Sequence, residues 1–165
     1  MRDYLFNTDK IAYVKGARPD VPCILCAIAL RDTRLELLEV LRTELCMVSM
    51  NLYPFNTGHL MVFPLRHVED YAELTDAEAL EVHRLTSLMI CAIKEEFSPA
   101  GFNLGWNLGS AGGASITHLH QHIVPRYVNE LGFLDVLAGT RVVVVDPRDA
   151  LRRLKERILT MEGMA

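Results

Sequence analysis

The stretch 114–126, ASITHLHQHIVPR, places three histidines at every second position. The whole chain of 165 residues has six histidines, so half of them fall within five positions. Alternate side chains of an extended strand point to the same face, about 6.5–7 Å apart. The pattern therefore predicts a strand that carries the imidazoles of His118, His120 and His122 on one face.

Three explanations are open for such a face. It can be a half-solvated surface without a role, its imidazoles can jointly bind a catalytic metal ion, or one of them can act as a nucleophile supported by its neighbours. A neutral imidazole attacks phosphorus well and forms a phosphoramidate bond that is easily broken again. The surrounding residues favour the nucleophile, in a transfer reaction of two steps.

Composition and charge limit the class of protein. Half of the residues are apolar and 23% are charged, which is typical of a soluble globular protein, and no repeat or linker divides the chain. The net charge of −4 argues against a general nucleic-acid surface, which needs clustered Lys and Arg. The N-terminus lacks the apolar core of a signal peptide, and no apolar run reaches the ~18 residues that cross a bilayer. We therefore expect a cytoplasmic protein that binds neither nucleic acid nor a membrane.

The pattern along the chain predicts an α+β domain. Five segments have the apolar or alternating pattern of strands: 44–52, 59–65, 101–109, 115–124 and 141–145. A long helix is predicted from Thr75, with Glu78 as its capping-box partner and with Ser98 and Pro99 at its end, and a second helix is predicted from about Pro147. The glycine-rich loop GSAGGAS, 109–115, joins two of the strands.

The run HLHQHIV, 118–124, resembles the His-apolar-His-x-His-apolar-apolar pattern of the histidine triad (HIT) superfamily of nucleotide hydrolases and transferases. Gln121 departs from that pattern, because it stands where an apolar residue is usual. The flanking stretches NLYPFNTGHLMVFPLRHVEDY (51–71) and NLGSAGGASITHLHQHIVPR (107–126) are similar to family segments, the second most of all to the diadenosine polyphosphate hydrolase and phosphorylase branch that includes fragile histidine triad proteins. CILCAI (23–28) resembles the family's N-terminal cysteine pair.

The resemblance implies a fold and a domain organisation. It covers about residues 21–126 and implies one HIT domain over 1–165, with a C-terminal strand and helix at 140–160. The implied architecture is an antiparallel sheet of about five strands with a long helix and a C-terminal helix.

The resemblance also implies roles for individual residues. His120 matches the nucleophile, whose Nδ1–H is held by a backbone carbonyl, and the other residues that match catalytic positions are His122, Ser115 and His118. The residues that match nucleotide-binding positions are Asn51 for the ribose, His59 behind the site, Asn107, Gly113, Ala114, Ser115 and His122. Gly112 and Gly113 allow backbone N–H groups to approach a phosphate.

Cys23 and Cys26 form a C-x-x-C pair, which in a reducing compartment is more often a metal or redox site than a structural disulfide. In zinc-binding members of the superfamily the remaining ligands match His67 and His118, which would complete a tetrahedral zinc site. Unligated cysteines and a redox pair remain as alternatives. A redox pair normally lies at a helix start within a thioredoxin-like pattern, which is not evident here.

The implied function is a hydrolase or phosphorylase that cleaves dinucleoside polyphosphates, such as diadenosine tri- or tetraphosphate, through a covalent nucleotidyl-histidine. Two alternatives remain: a nucleoside phosphoramidase, whose branch commonly has glycines in place of Pro125 and Arg126, and a catalytically weak nucleotide-binding protein. Family members usually form homodimers, and Trp106, Leu108 and the helix from Thr75 offer an apolar surface for one.

Overall fold

The computed structural model describes residues 19–128 and 145–162. Its elements, in chain order, are α1 (Ile24–Ala29), β1 (Glu39–Arg42), β2 (Cys46–Met50), β3 (Leu60–Pro64), a 3-10 turn (Tyr71–Glu73), α2 (Asp76–Phe97), β4 (Gly101–Trp106), a second 3-10 turn (Ser110–Gly112), β5 (Gln121–Arg126) and α3 (Pro147–Glu162). The strand predicted over 141–145 lies outside the described residues except for its last position.

The five strands form one sheet in the order β1-β2-β3-β5-β4, and every neighbouring pair is antiparallel. The α+β prediction with about five strands is confirmed. Two short elements, α1 and β1, were not predicted from the sequence.

The centre of the sheet, β2 and β3, is covered on both faces. On one face, α2 and α3 pack against a cluster of buried side chains that includes Val48, Val62, Met89, Ile123 and Leu154. On the other face a smaller cluster packs around α1, and its members are Leu25, Ile28, Met47, Met61 and Phe63. All residues of β2 and β3 are therefore buried, which explains why these strands have nearly continuous apolar sequences.

Helix α2 begins and ends at the predicted residues. The Thr75 hydroxyl accepts a hydrogen bond from the Glu78 backbone N–H, and the Glu78 carboxylate accepts one from the Thr75 N–H. Arg66 pairs with the buried Glu78 carboxylate, and this hydrogen bond is the main reason that the pKa of Glu78 lies at about 2. Ser98, in a left-handed conformation, ends the helix.

The strand predicted over 115–124 is wrong for its first half, because β5 begins only at Gln121. The preceding segment bonds to a loop instead of a strand: the Leu119 N–H donates to the Val68 carbonyl at 2.7 Å. His118 and His120 therefore lie just before the strand, and only His122 lies within it. Within the described ranges, no helix combines the length and apolar character needed to span a membrane.

Candidate active site and metal cluster

The His120 ring is buried and held in one tautomer. Its Nδ1 lies 2.8 Å from the backbone carbonyl of His118, and a carbonyl can only accept, so Nδ1 carries the hydrogen. Burial lowers the pKa of His120, which keeps the ring neutral at physiological pH. The lone pair of this imidazole is therefore on Nε2, as a nucleophile requires.

A second set of hydrogen bonds fixes the tautomer of His122. The Phe55 backbone N–H donates to His59 Nδ1 at 3.0 Å, so a neutral His59 carries its hydrogen on Nε2. That nitrogen lies 3.0 Å from His122 Nδ1 and donates to it, which leaves the hydrogen of a neutral His122 on Nε2. Burial, and secondarily His120, lower the pKa of His122 to about 4. The series of hydrogen bonds from the Phe55 N–H through His59 thus makes His122 Nε2 a fixed hydrogen-bond donor.

The side-chain nitrogen of Asn107, Nδ2, lies 3.3 Å from His122 Nε2. Because His122 Nε2 carries a hydrogen and an amide nitrogen cannot accept one, a 180° turn of the Asn107 amide brings its oxygen, the accepting atom, to this position. The amide NH₂ group of Asn107 is then a further donor beside His122. The His122 ring also meets the His120 ring edge to face, with 4.7 Å between centroids.

His118 belongs to a different group of side chains. Its Nδ1 lies 3.5 Å from Cys23 Sγ and 3.4 Å from Cys26 Sγ, and its ring meets the His67 ring edge to face at 4.9 Å between centroids. The prediction of three imidazoles in register on a strand face is therefore wrong. His120 and His122 converge, whereas the side chain of His118 joins the two cysteines, because the backbone before β5 does not follow strand geometry.

The metal cluster, defined as Cys23, Cys26, His67 and His118, brings four ligand atoms within 4.8 Å of one another. His67 Nδ1 lies 3.2 Å from Cys26 Sγ. A tetrahedral zinc site with ordinary Zn–S and Zn–N bonds has S···N separations of roughly 3.5 Å, close to those found here. The donor set and its dimensions therefore fit a zinc ion.

In both histidines of this cluster, Nδ1 is the ring nitrogen that lies near the thiols, and it carries the lone pair. His118 Nε2 lies 3.0 Å from the Pro64 carbonyl and donates to it, so its lone pair is on Nδ1. Without a cation, burial and the neighbouring Cys23 raise the pKa of the Cys26 thiol to about 11. A bound metal ion would reverse that effect and favour the thiolate.

Cys23 also caps α1, where its Sγ accepts from the Cys26 N–H at 3.5 Å. The pair therefore does lie at a helix start, which the sequence did not reveal. The two histidine nitrogens beside the thiols favour a metal site over a redox pair.

A model described as "HIT domain" matches residues 36–129, more than half of the chain. The chain belongs to the HIT family.

Relatives of this HIT protein include the "AP-4-A phosphorylase" of Mycobacterium tuberculosis (strain ATCC 25618 / H37Rv), 44% identical over 118 residues, 71% of this chain and 60% of the relative. The chain thus matches less than two thirds of that relative's length. The crystal structure of a Zn-bound histidine triad family protein from Mycobacterium smegmatis aligns with a TM-score of 0.73 at 23% identity. The alignment covers 87% of this chain and 98% of that one and shows the shared fold. A hypothetical histidine triad nucleotide-binding protein from Sulfolobus tokodaii aligns with a TM-score of 0.70 at 26% identity, covering 85% and 94%.

The other predicted nucleotide-binding residues of this HIT protein lie around the histidines. Asn51 directly follows β2, and its side-chain oxygen accepts from the Tyr53 N–H at 2.9 Å. Ser115 has an exposed side chain between the glycine-rich loop and His118. The backbone N–H groups of Gly112, Gly113 and Ala114 donate to carbonyls of the same loop. This arrangement does not support the prediction that the two glycine amides face a phosphate.

Two site residues were missed by the sequence analysis. Phe55 stacks on His59, with 5.0 Å between ring centroids and 15° between planes, and its N–H begins the hydrogen-bond chain. Glu69 lies 3.1 Å from His67 Nε2. A carboxylate two residues after a candidate histidine ligand was a usable signal, since such ligands commonly donate their other N–H to one.

Proposed function

We propose that this HIT protein cleaves dinucleoside polyphosphates by nucleotidyl transfer through His120. The observation that carries the proposal is the geometry of the two converging histidines. His120 is neutral with its lone pair on Nε2, and His122 beside it is neutral with a hydrogen on Nε2. One ring is thus equipped to attack, and the other to donate a hydrogen bond.

In the first step, the Nε2 lone pair of His120 forms a bond to the α-phosphorus, and the bond from that phosphorus to the bridging oxygen breaks. The leaving nucleotide departs with the electron pair, and the hydrogen bond from His122 stabilises the charge on the phosphate oxygens. The His118 carbonyl, which accepts from His120 Nδ1–H, stabilises the positive charge that develops on the ring. Asn107, through its NH₂ group, would contact the same phosphate.

In the second step, an oxygen of water or of inorganic phosphate attacks the phosphorus, and the P–N bond breaks with its electron pair returning to Nε2. Any proton that the attacking oxygen loses passes to solvent. Water gives a nucleoside monophosphate and makes the protein a hydrolase. Phosphate gives a nucleoside diphosphate and makes it a phosphorylase. The relative named AP-4-A phosphorylase supports this substrate class.

Product analysis tests the proposal. The protein is incubated with diadenosine tetraphosphate with and without inorganic phosphate, beside His120→Ala and a control, His83→Ala, whose histidine is exposed on α2. We expect ATP with AMP from water or ATP with ADP from phosphate, from the wild type and the control alone. A parallel incubation uses adenosine phosphoramidate, and its cleavage without cleavage of diadenosine tetraphosphate would indicate the phosphoramidase branch instead. Nucleotide binding without any turnover would indicate a binding protein.

We propose that the metal cluster holds a structural zinc ion. Cys23, Cys26, His67 and His118 would be the ligands, and the ion would join α1 to the loop after β3 and to the segment before β5. The Zn-bound neighbour supports this choice of metal. A reducing compartment such as the cytoplasm, which we predict for this chain, would keep both thiols available as ligands.

We also propose a homodimer that uses β4. This strand lies at the edge of the described sheet, and exposed apolar side chains accompany it. Leu104 and Leu108 are about half exposed, and Tyr71 meets the Trp106 ring edge to face. Edge strands with apolar side chains are suited to pairing with another chain.

A further inference from the structure

Glu69 joins two segments that meet at the metal cluster. Its carboxylate accepts from His67 Nε2 at 3.1 Å, two residues before it in the chain. The side chain of Thr117, the residue before His118, faces the same carboxylate and, ahead of His67, lowers the pKa of Glu69. One exposed carboxylate therefore contacts both histidine-bearing segments of the cluster.

The first contact decides which nitrogen of His67 can bind a metal ion. An ionised carboxylate only accepts, so His67 Nε2 carries the hydrogen and the lone pair lies on Nδ1, beside Cys26 Sγ. For His118 the same task is performed by the backbone carbonyl of Pro64. His118 is fully buried, whereas the side chain of His67 is 42% exposed. His67 therefore depends more than His118 on a side-chain partner for its orientation.

The second contact, between Glu69 and Thr117, involves the segment that precedes His120, the proposed nucleophile. Thr117 is followed by His118, whose carbonyl holds Nδ1–H of His120, and by Leu119, whose N–H bonds to Val68 next to Glu69. Glu69 and Val68 thus fix the position of segment 117–119, and the His118 carbonyl in this segment orients the His120 ring. His118 is the residue that contacts both the thiols of the cluster and the His120 ring, so a change at the cluster would reach His120 through it.

We infer that Glu69 is a positioning residue: it orients His67 for zinc and, with the zinc cluster, fixes the His118 carbonyl that holds His120. The inference rests on the proposed zinc site. The inference adds Glu69, a residue outside the four ligands, to that site. It also links the zinc site to His120.

Zinc affinity is the direct test, measured by competition with a chromophoric chelator. We expect Glu69→Ala to weaken zinc binding by about 10–100-fold, the usual effect of removing a hydrogen-bond partner of a ligand. Glu69→Gln should bind nearly as the wild type, because its amide oxygen still accepts from His67 Nε2–H. Glu73→Ala removes the same charge four residues further on, from an exposed side chain outside the cluster, and should leave the affinity unchanged.

Two further readouts separate positioning from a general structural role. By side-chain NMR, His67 should be in the Nε2–H tautomer in the wild type and in Glu69→Gln, and in a mixture of tautomers in Glu69→Ala. At limiting zinc, Glu69→Ala should lose kcat with little change in KM, and excess zinc should restore it. Wild-type affinity and tautomer in Glu69→Ala would overturn the inference and leave the zinc proposal standing. Wild-type protein that binds no zinc would overturn both.

Discussion

Backbone groups decide which nitrogen carries the hydrogen in His59, His120 and His122, the histidines of the candidate active site. The His118 carbonyl sets the tautomer of His120, and the Phe55 N–H sets that of His59 and, through it, of His122. The family resemblance implied that a backbone carbonyl holds Nδ1–H of His120, but it did not say that this carbonyl belongs to His118. Local sequence alone predicted neither contact. It could not predict the second, because Phe55 and His122 come together only when β3 pairs with β5.

The pH dependence of stability follows from burial of His122. Its pKa is lowered from an ordinary value of about 6.5 to about 4 in the fold, so between these values the unfolded chain binds more protons. The free energy of unfolding should therefore fall as the pH is lowered through this interval. We expect a shallower fall in His122→Asn than in the wild type, measured by urea denaturation at pH 7, 6 and 5. The free energy of unfolding of His83→Ala should change with pH as that of the wild type does. An equal pH dependence of this free energy in all three proteins would contradict the argument from burial of His122.

At the scale of elements, prediction succeeded where the deciding contacts are local. Helix α2 was predicted at both ends, because its capping box and the turn at Ser98 are formed by residues near in sequence. The start of β5 was not predicted correctly, because it depends on a hydrogen bond to the carbonyl of Val68, which lies far earlier in the chain. Helix α1 was missed because it has six residues and its cap is a cysteine rather than a usual capping residue.

Gln121, the departure from the family pattern, is explained by a contact between β5 and α2. Its side-chain oxygen accepts from the hydroxyl of the buried Thr86 at 2.5 Å. We expect Thr86→Val to lower the free energy of unfolding by about 1–3 kcal/mol, because it leaves that oxygen without its donor. Adding Gln121→Leu should recover part of the loss, because both polar partners are then gone. Urea denaturation of the four proteins of this cycle measures the coupling, and purely additive effects would show that the contact does not stabilise the fold.

At the scale of the molecule, the triad motif and its flanking stretches sufficed to predict the family and the α+β architecture. The division of the triad into two sites could not be read from its regular spacing, because it follows from the irregular backbone before β5. The side chain of His118 belongs to the metal cluster, whereas its backbone carbonyl holds the ring of His120.

Removal of the metal should therefore affect both stability and the active site. Elemental analysis of protein purified without added metal should find about one zinc per chain. Cys23→Ser should lose the zinc and unfold at lower urea concentration, because the ligands are no longer joined. Cys91→Ser, which alters an exposed cysteine on α2, should keep both properties. Well-folded wild-type protein without zinc would contradict the proposed cluster.

The central claim is that Nε2 of His120 forms a bond to the α-phosphorus, and detection of that bond tests it most directly. The protein is mixed with diadenosine tetraphosphate, quenched at alkaline pH where a phosphoramidate is stable, digested and analysed by mass spectrometry. We expect AMP attached to His120 in the wild type and in His83→Ala, released by mild acid. His120→Ala should form no adduct and lose at least roughly three orders of magnitude in turnover. An adduct on another residue, or near wild-type turnover by His120→Ala, would contradict the account.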